Sequence, residues 1–169
     1  TDGVIKPVSG GEIGGRAFYV AAILGSPALW AEAREAARDG DIGRAIDRAK
    51  RAFRRAFSGR LRFVLGAGPP AKAEALALMC PVVSKAMDDK DGYLEAAAID
   101  PGGALEIFRL GFRAALGDWR ADQAVAVTCV RAGRAWAGRK IPAVLDGEPT
   151  LLGSVVDFRF KPVAFRALV

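Results

Sequence analysis

Asp146 and Glu148 flank a single glycine where the apolar run 140–145 gives way to a turn. Two carboxylates at this spacing suit phosphoryl transfer. One accepts a hydroxyl proton, and the other positions that base or reaches a metal through water. Asp146 is the candidate base and Glu148 its companion. They are the only acidic pair placed where a strand ends and a tight turn begins, and a sheet behind such a turn holds its side chains still. A plainer reading stands beside this one. Asp-Gly is among the strongest two-residue hairpin signals, although Pro149 interrupts ladder pairing just after it. Both readings stay open on these residues alone.

Other chemistries are narrower. The chain has no histidine, which removes Ser-His-Asp and Cys-His nucleophiles. Cys80 and Cys129 sit in apolar, strand-like runs and read as buried, reduced thiols of a cytosolic protein. Two cysteines without histidine leave a zinc site short of ligands. Asp88, Asp89 and Asp91 form an acidic loop, either a solvated turn or a divalent-cation site built from carboxylates and loop carbonyls. The spacing of a calcium-sensing loop is absent.

The net charge of +6 favours an anionic partner. A helix is expected over 42–58, with Ile42, Ile46, Ala49, Phe53, Ala56 and Phe57 on one face. Arg44, Arg48, Arg51 and Arg55 lie off that face. They read as a solvated basic surface or as contacts to anionic lipid headgroups. No nucleic-acid motif accompanies them, and aromatics are only 8%, so nucleic acid is not an expected partner. No run approaches the roughly 18 apolar residues of a membrane-spanning helix, and no signal peptide is visible. The expected location is cytoplasmic, with peripheral attachment to the inner face of the membrane left open.

Stepwise along 169 residues, one domain is the default. Strands are expected over 16–24, 60–65, 73–83, 93–99, 124–131, 133–137, 140–145, 153–160 and 163–168. Helices are expected from Ser26-Pro27 to about residue 38, over 42–58, and over 104–116. Most strand connections are too short for crossover helices, so the sheet should be mostly antiparallel. The fold class is α+β: an antiparallel β-sandwich or open barrel with two helices near the N-terminus and one near 104–116. Trp30, Trp119 and Trp136, with Phe108 and Phe112, read as core. A lipid-chain pocket lined by the two phenylalanines is the alternative.

The ordered segments 81–87 (Pro-Val-Val-Ser-Lys-Ala-Met), 91–95 (Asp-Gly-Tyr-Leu-Glu), 141–148 (Ile-Pro-Ala-Val-Leu-Asp-Gly-Glu) and 155–168 carry a resemblance. Their order and spacing resemble the C-terminal lobe of the soluble diacylglycerol and sphingosine kinase superfamily, relatives of the NAD kinases. The resemblance covers most of 61–169 and is more diffuse over 11–60. It implies a single β-rich, substrate-side lobe over 1–169, cut from a longer protein. The partner N-terminal lobe would hold ATP on a Gly-Gly-Asp-Gly-Thr motif, which this chain lacks. It further implies ATP and Mg²⁺ as cofactors, a lipid alcohol as substrate, Asp146 as general base and Glu148 as its acidic companion. In some members the region like 91–94 holds a structural Mg²⁺. The fragment alone is expected to be inactive, and homodimerisation is left open. The NAD kinase branch, a lipid carrier without catalysis, and a membrane-binding β-sandwich module are the alternatives.

Overall fold

The computed structural model describes residues 4–25, 60–84, 92–100 and 122–168. These form twelve strands: β1 (Ile5–Ile13), β2 (Arg16–Phe18), β3 (Ala21–Gly25), β4 (Leu61–Leu65), β5 (Ala71–Ala73), β6 (Ala75–Met79), β7 (Leu94–Ile99), β8 (Val125–Val130), β9 (Ala132–Trp136), β10 (Ile141–Leu145), β11 (Glu148–Leu152) and β12 (Val155–Leu168). They make two open six-stranded sheets, ordered β2-β1-β12-β9-β4-β5 and β11-β10-β3-β6-β7-β8. Every ladder among the described residues is antiparallel. The sheet-rich half of the expected class is therefore present. The described residues contain no helix, and the helices expected over 27–38, 42–58 and 104–116 lie outside them.

Alternation decides which face of β10 and β12 is buried. Ile141, Ala143 and Leu145 of β10 are buried, and so are Val156 and Phe158 of β12. Their neighbours point the other way, as the two-residue period of a strand requires. Ile13, Phe18, Phe63 and Phe158 of the first sheet meet Leu24, Leu76, Leu78 and Leu94 of the second in one core. Fully burying such side chains contributes about 1.5–3 kcal/mol each. Phe158 packs so close to Gly133 that a Cβ there would stand 2.3 Å from its ring and 2.5 Å from the Val64 carbonyl oxygen. Only glycine fits. Strand β6 is buried along its whole length; on its second face Ala77 and Met79 lie beside Ala97, Ala21 and Ile23.

The outer face of the first sheet is charged. Arg159 stands opposite Glu12 in the ladder and bonds it at 2.7 Å, with Lys161 at 3.5 Å. Arg134 holds Asp157 through two bonds of 2.6 and 2.9 Å. These guanidinium bonds set the carboxyls of Glu12 and Asp157 below the ordinary carboxylate range.

The structure redraws several expected elements. The run 16–24 is two strands in different sheets, joined by Tyr19-Val20. The run 73–83 likewise changes sheet, at Glu74. The two segments expected at 153–160 and 163–168 are one strand. Its register against β1 breaks between Val8 and Gly10, which pair with Phe165 and Lys161. The three residues between those partners oppose Ser9 alone, and Pro162 is one of them. A bulge is a place where proline costs no ladder bond. Trp136 is not core: it is half-buried and faces away from the shared core, next to the buried Ala135. Cys80 is buried as expected, but Cys129 is exposed, because β8 is an edge strand. Trp30, Phe108, Phe112 and Trp119 lie outside the described residues.

Candidate functional site

Asp146 and Gly147 are the two loop residues of the β10–β11 hairpin, with Leu145 paired to Glu148 across it. Both have positive φ, 50° and 94°, the signature of a type I′ turn. Aspartate is one of the few side chains that tolerate this region, and glycine takes it freely. The hairpin reading of Asp-Gly is thus correct. Pro149 does not oppose it. Flanking a two-residue loop, Leu145 and Glu148 are the hydrogen-bonded pair, so Val144 and Pro149 form a non-bonded one. The proline nitrogen then faces the free edge of β11.

The turn is also a binding element. The Asp146 carboxylate accepts three main-chain hydrogen bonds from the β2–β3 crossover. Oδ2 accepts from the Tyr19 N–H at 2.7 Å, and Oδ1 accepts from Val20 at 2.8 Å and Ala21 at 3.0 Å. The Asp146 N–H returns a bond of 2.8 Å to the Ala21 carbonyl. A carboxylate has about four lone-pair sites, so among the described residues one on Oδ2 stays open. The side chain is exposed, and the backbone amides fix its orientation without enclosing it.

Beneath this cradle lies Cys80. Its N–H donates to the Val20 carbonyl at 2.9 Å, and its Sγ sits 3.7 Å from the Phe18 carbonyl oxygen. Burial first, and the Asp146 charge second, push the Cys80 thiol up to about 12. It stays protonated at neutral pH and is no nucleophile. Exposed apolar side chains flank the cradle. Tyr19 and Val20 are 40% and 45% exposed, and Val82 and Val83 follow Cys80. Tyr19 meets Phe165 of β12 edge to face at 5.2 Å between ring centroids. One sheet end thus carries an oriented carboxylate in an apolar surround.

Glu148 begins β11, exposed. Among the described residues its carboxylate has no ion pair or hydrogen-bond partner. On the same strand face, Thr150 Oγ1 accepts from Arg16 at 2.5 Å. The structure therefore places Asp146 and Glu148 at one turn but engages only Asp146. The tripod of amides from Tyr19, Val20 and Ala21 was not legible: nothing in Tyr-Val-Ala marks a carboxylate-binding turn. No group of three His, Cys, Asp or Glu residues among the described ones forms a metal cluster. Asp88, Asp89 and Asp91 lie outside the described residues, as do Arg44, Arg48, Arg51 and Arg55. No helix among the described residues is long and apolar enough to cross a membrane.

Known folds supply the comparison. A diacylglycerol kinase structure from Bacillus anthracis strain Sterne superposes with a TM-score of 0.56 at 9% identity, over 98% of this chain and 54% of that one. Two structures of candidate diacylglycerol kinases from the same strain superpose at 0.58 and 0.60 with 14% identity. Each match covers 93% of this chain, and 55% and 54% of the other. This chain has the fold of the diacylglycerol kinase structures. It spans about half the length of each. No family model matches the sequence, and no curated protein does. The diacylglycerol kinase-like fold is the one that the resemblance in 81–168 implies.

Proposed function

We propose that this chain is the substrate-side lobe of an ATP-dependent lipid kinase, inactive without a nucleotide-binding lobe. The observation that carries the reading is the Asp146 carboxylate, oriented by three backbone amides and left one open lone pair beside exposed apolar side chains. An amphiphile whose tail is drawn to Tyr19, Val20 and Val82 would bring its hydroxyl within reach of Oδ2. The diacylglycerol kinase-like fold supports the same reading.

The step balances simply. Oδ2 of Asp146 takes the hydroxyl proton as the alcohol oxygen bonds to the γ-phosphorus of ATP. The bond from that phosphorus to the bridging oxygen breaks, and ADP leaves. Such transfers rely on positioning and charge more than on covalent help, and rigid amides are good positioning devices. Mg²⁺ neutralises phosphate charge when bound with the nucleotide. Magnesium in such sites is held mainly by phosphates and one or two carboxylates. Glu148, whose carboxylate has no partner among the described residues, is the group suited to contact it through water.

The test is phosphate transfer from labelled ATP by the protein with its nucleotide-binding lobe, against diacylglycerol, a sphingoid base, monoacylglycerol and NAD. A labelled lipid is the expected product. Labelled NAD would move the protein to the NAD kinase branch. A folded protein that labels nothing would contradict the reading.

A further inference from the structure

The two sheets part at one edge. Along it, between β4–β5 of one sheet and β7–β8 of the other, runs a cleft of about 930 Å³, within the usual range for small-molecule sites. Ladder pairing puts Ala126 and Thr128 of β8 on the same face as Ala98 and Ala96 of β7, and Ala96 belongs to the shared core. Yet Ala126 and Thr128 are exposed. The opposing edge strand, β5, has three residues against six in β8, so the inward face of β8 lacks a full covering. Phe63, Leu65, Ala98 and Val130 supply apolar walls.

The two ends of the cleft differ in charge. At one, the Arg131 guanidinium lies over the Tyr93 ring, 4.8 Å from its centroid, and forms no ion pair among the described residues. At the other, Asp100 is already matched by Arg60 through two 2.7 Å bonds. A cation on an aromatic platform, at the mouth of an apolar trough, is complementary to an anion attached to a hydrocarbon. The six residues of β8 span roughly 20 Å at strand rise, enough for an extended long acyl chain.

We propose that this cleft binds a single-chain amphiphile with an anionic head, its chain along β8 and its head at Arg131. The site is separate from Asp146: three strands, β3, β6 and β7, stand between β10 and β8, and no cradle residue lines the cleft. It therefore does not rest on the kinase reading.

Displacement of a fluorescent anthroyloxy-stearate from the 169-residue chain tests it. Oleate and oleoyl lysophosphatidate are expected to displace the probe with one-to-one stoichiometry, and neutral monooleoylglycerol about tenfold more weakly, the size of one charge-assisted hydrogen bond. Their order tells whether the head is a carboxylate or a phosphate. Ala126→Trp, which fills the trough from an exposed position, should abolish displacement. Arg131→Gln should bring both anions down to the neutral lipid and leave the neutral lipid unchanged. Absence of saturable displacement would overturn the proposal. So would equal binding by Ala126→Trp, or equal affinity of the wild type for neutral and anionic lipids.

Discussion

Tyr19 and Asp146 lie 127 residues apart in the chain, and the Tyr19 N–H meets the Asp146 Oδ2 at 2.7 Å. With Val20 and Ala21 this contact ties the crossover between the two sheets to the β10–β11 turn. The candidate base is thus also a structural clasp.

Asp146→Asn should therefore cost stability as well as chemistry. The amide oxygen can keep the Val20 and Ala21 bonds, but its NH₂ then faces the Tyr19 N–H, donor against donor. A loss of about 1–3 kcal/mol is expected for a lost bond to a charged acceptor, read as a lower denaturation midpoint at unchanged slope. Asp146→Ala, which leaves three donors to water, should lose at least as much. A midpoint equal to wild type in both variants would show that the amides do not need the carboxylate.

Gly133→Ala should destabilise the core by about 1–3 kcal/mol, the usual cost of overpacking. The new methyl would press on the Phe158 ring and on the Val64 carbonyl, which is backbone and cannot rotate away. Gly138→Ala meets nothing within 4 Å and is the neutral control. Equal melting curves for the two variants would contradict the close packing of Phe158.

The two thiols should separate cleanly. Cys129 is exposed and should react at once with a disulfide reagent at pH 8, whereas Cys80, buried and pushed up to about 12, should react only on unfolding. Two fast thiols in the native protein would contradict the packing beneath the cradle.

Acid should weaken the first sheet. The carboxyls of Glu12 and Asp157 are lowered in the folded chain by Arg159 and Arg134. Their stabilisation is therefore complete above the ordinary values of 4.5 and 3.8 and is lost progressively as pH falls below them and through the lower folded values. Glu12→Gln with Asp157→Asn should flatten the acid limb of a stability–pH curve, and high salt should shrink the difference because both pairs are exposed. An acid limb unchanged by the double substitution would assign it to other carboxyls.

Much of this fold is local and was readable. The alternation of 61–65, the apolar runs 94–99 and 141–145 and the Asp146-Gly147 hairpin follow from side-chain pattern and turn chemistry. What escaped depends on distant partners. Tyr19-Val20 turns because a carboxylate 126 residues away from Val20 caps its amide, so 16–24 reads as one strand. Ala-rich 71–79 passes between sheets at Glu74 with no glycine or proline to mark it. Pro162 reads as a break, but a bulge opposite Ser9 absorbs it. Strands β1 and β11 were missed because Gly10-Gly11 and Pro149 read as interruptions; each is allowed by its neighbours in the sheet. For the site, Asp146 was legible and its amide tripod was not.

The most direct test of the account is the rate of labelled-phosphate transfer to lipid by wild type and Asp146→Asn, both carrying the nucleotide-binding lobe and assayed well below the variant's melting temperature. The expected result is lipid phosphorylation by the wild type, with kcat about 10²–10⁴-fold lower in the variant, the range for a lost general base. Near-normal turnover by folded Asp146→Asn would leave Asp146 a clasp and not a base.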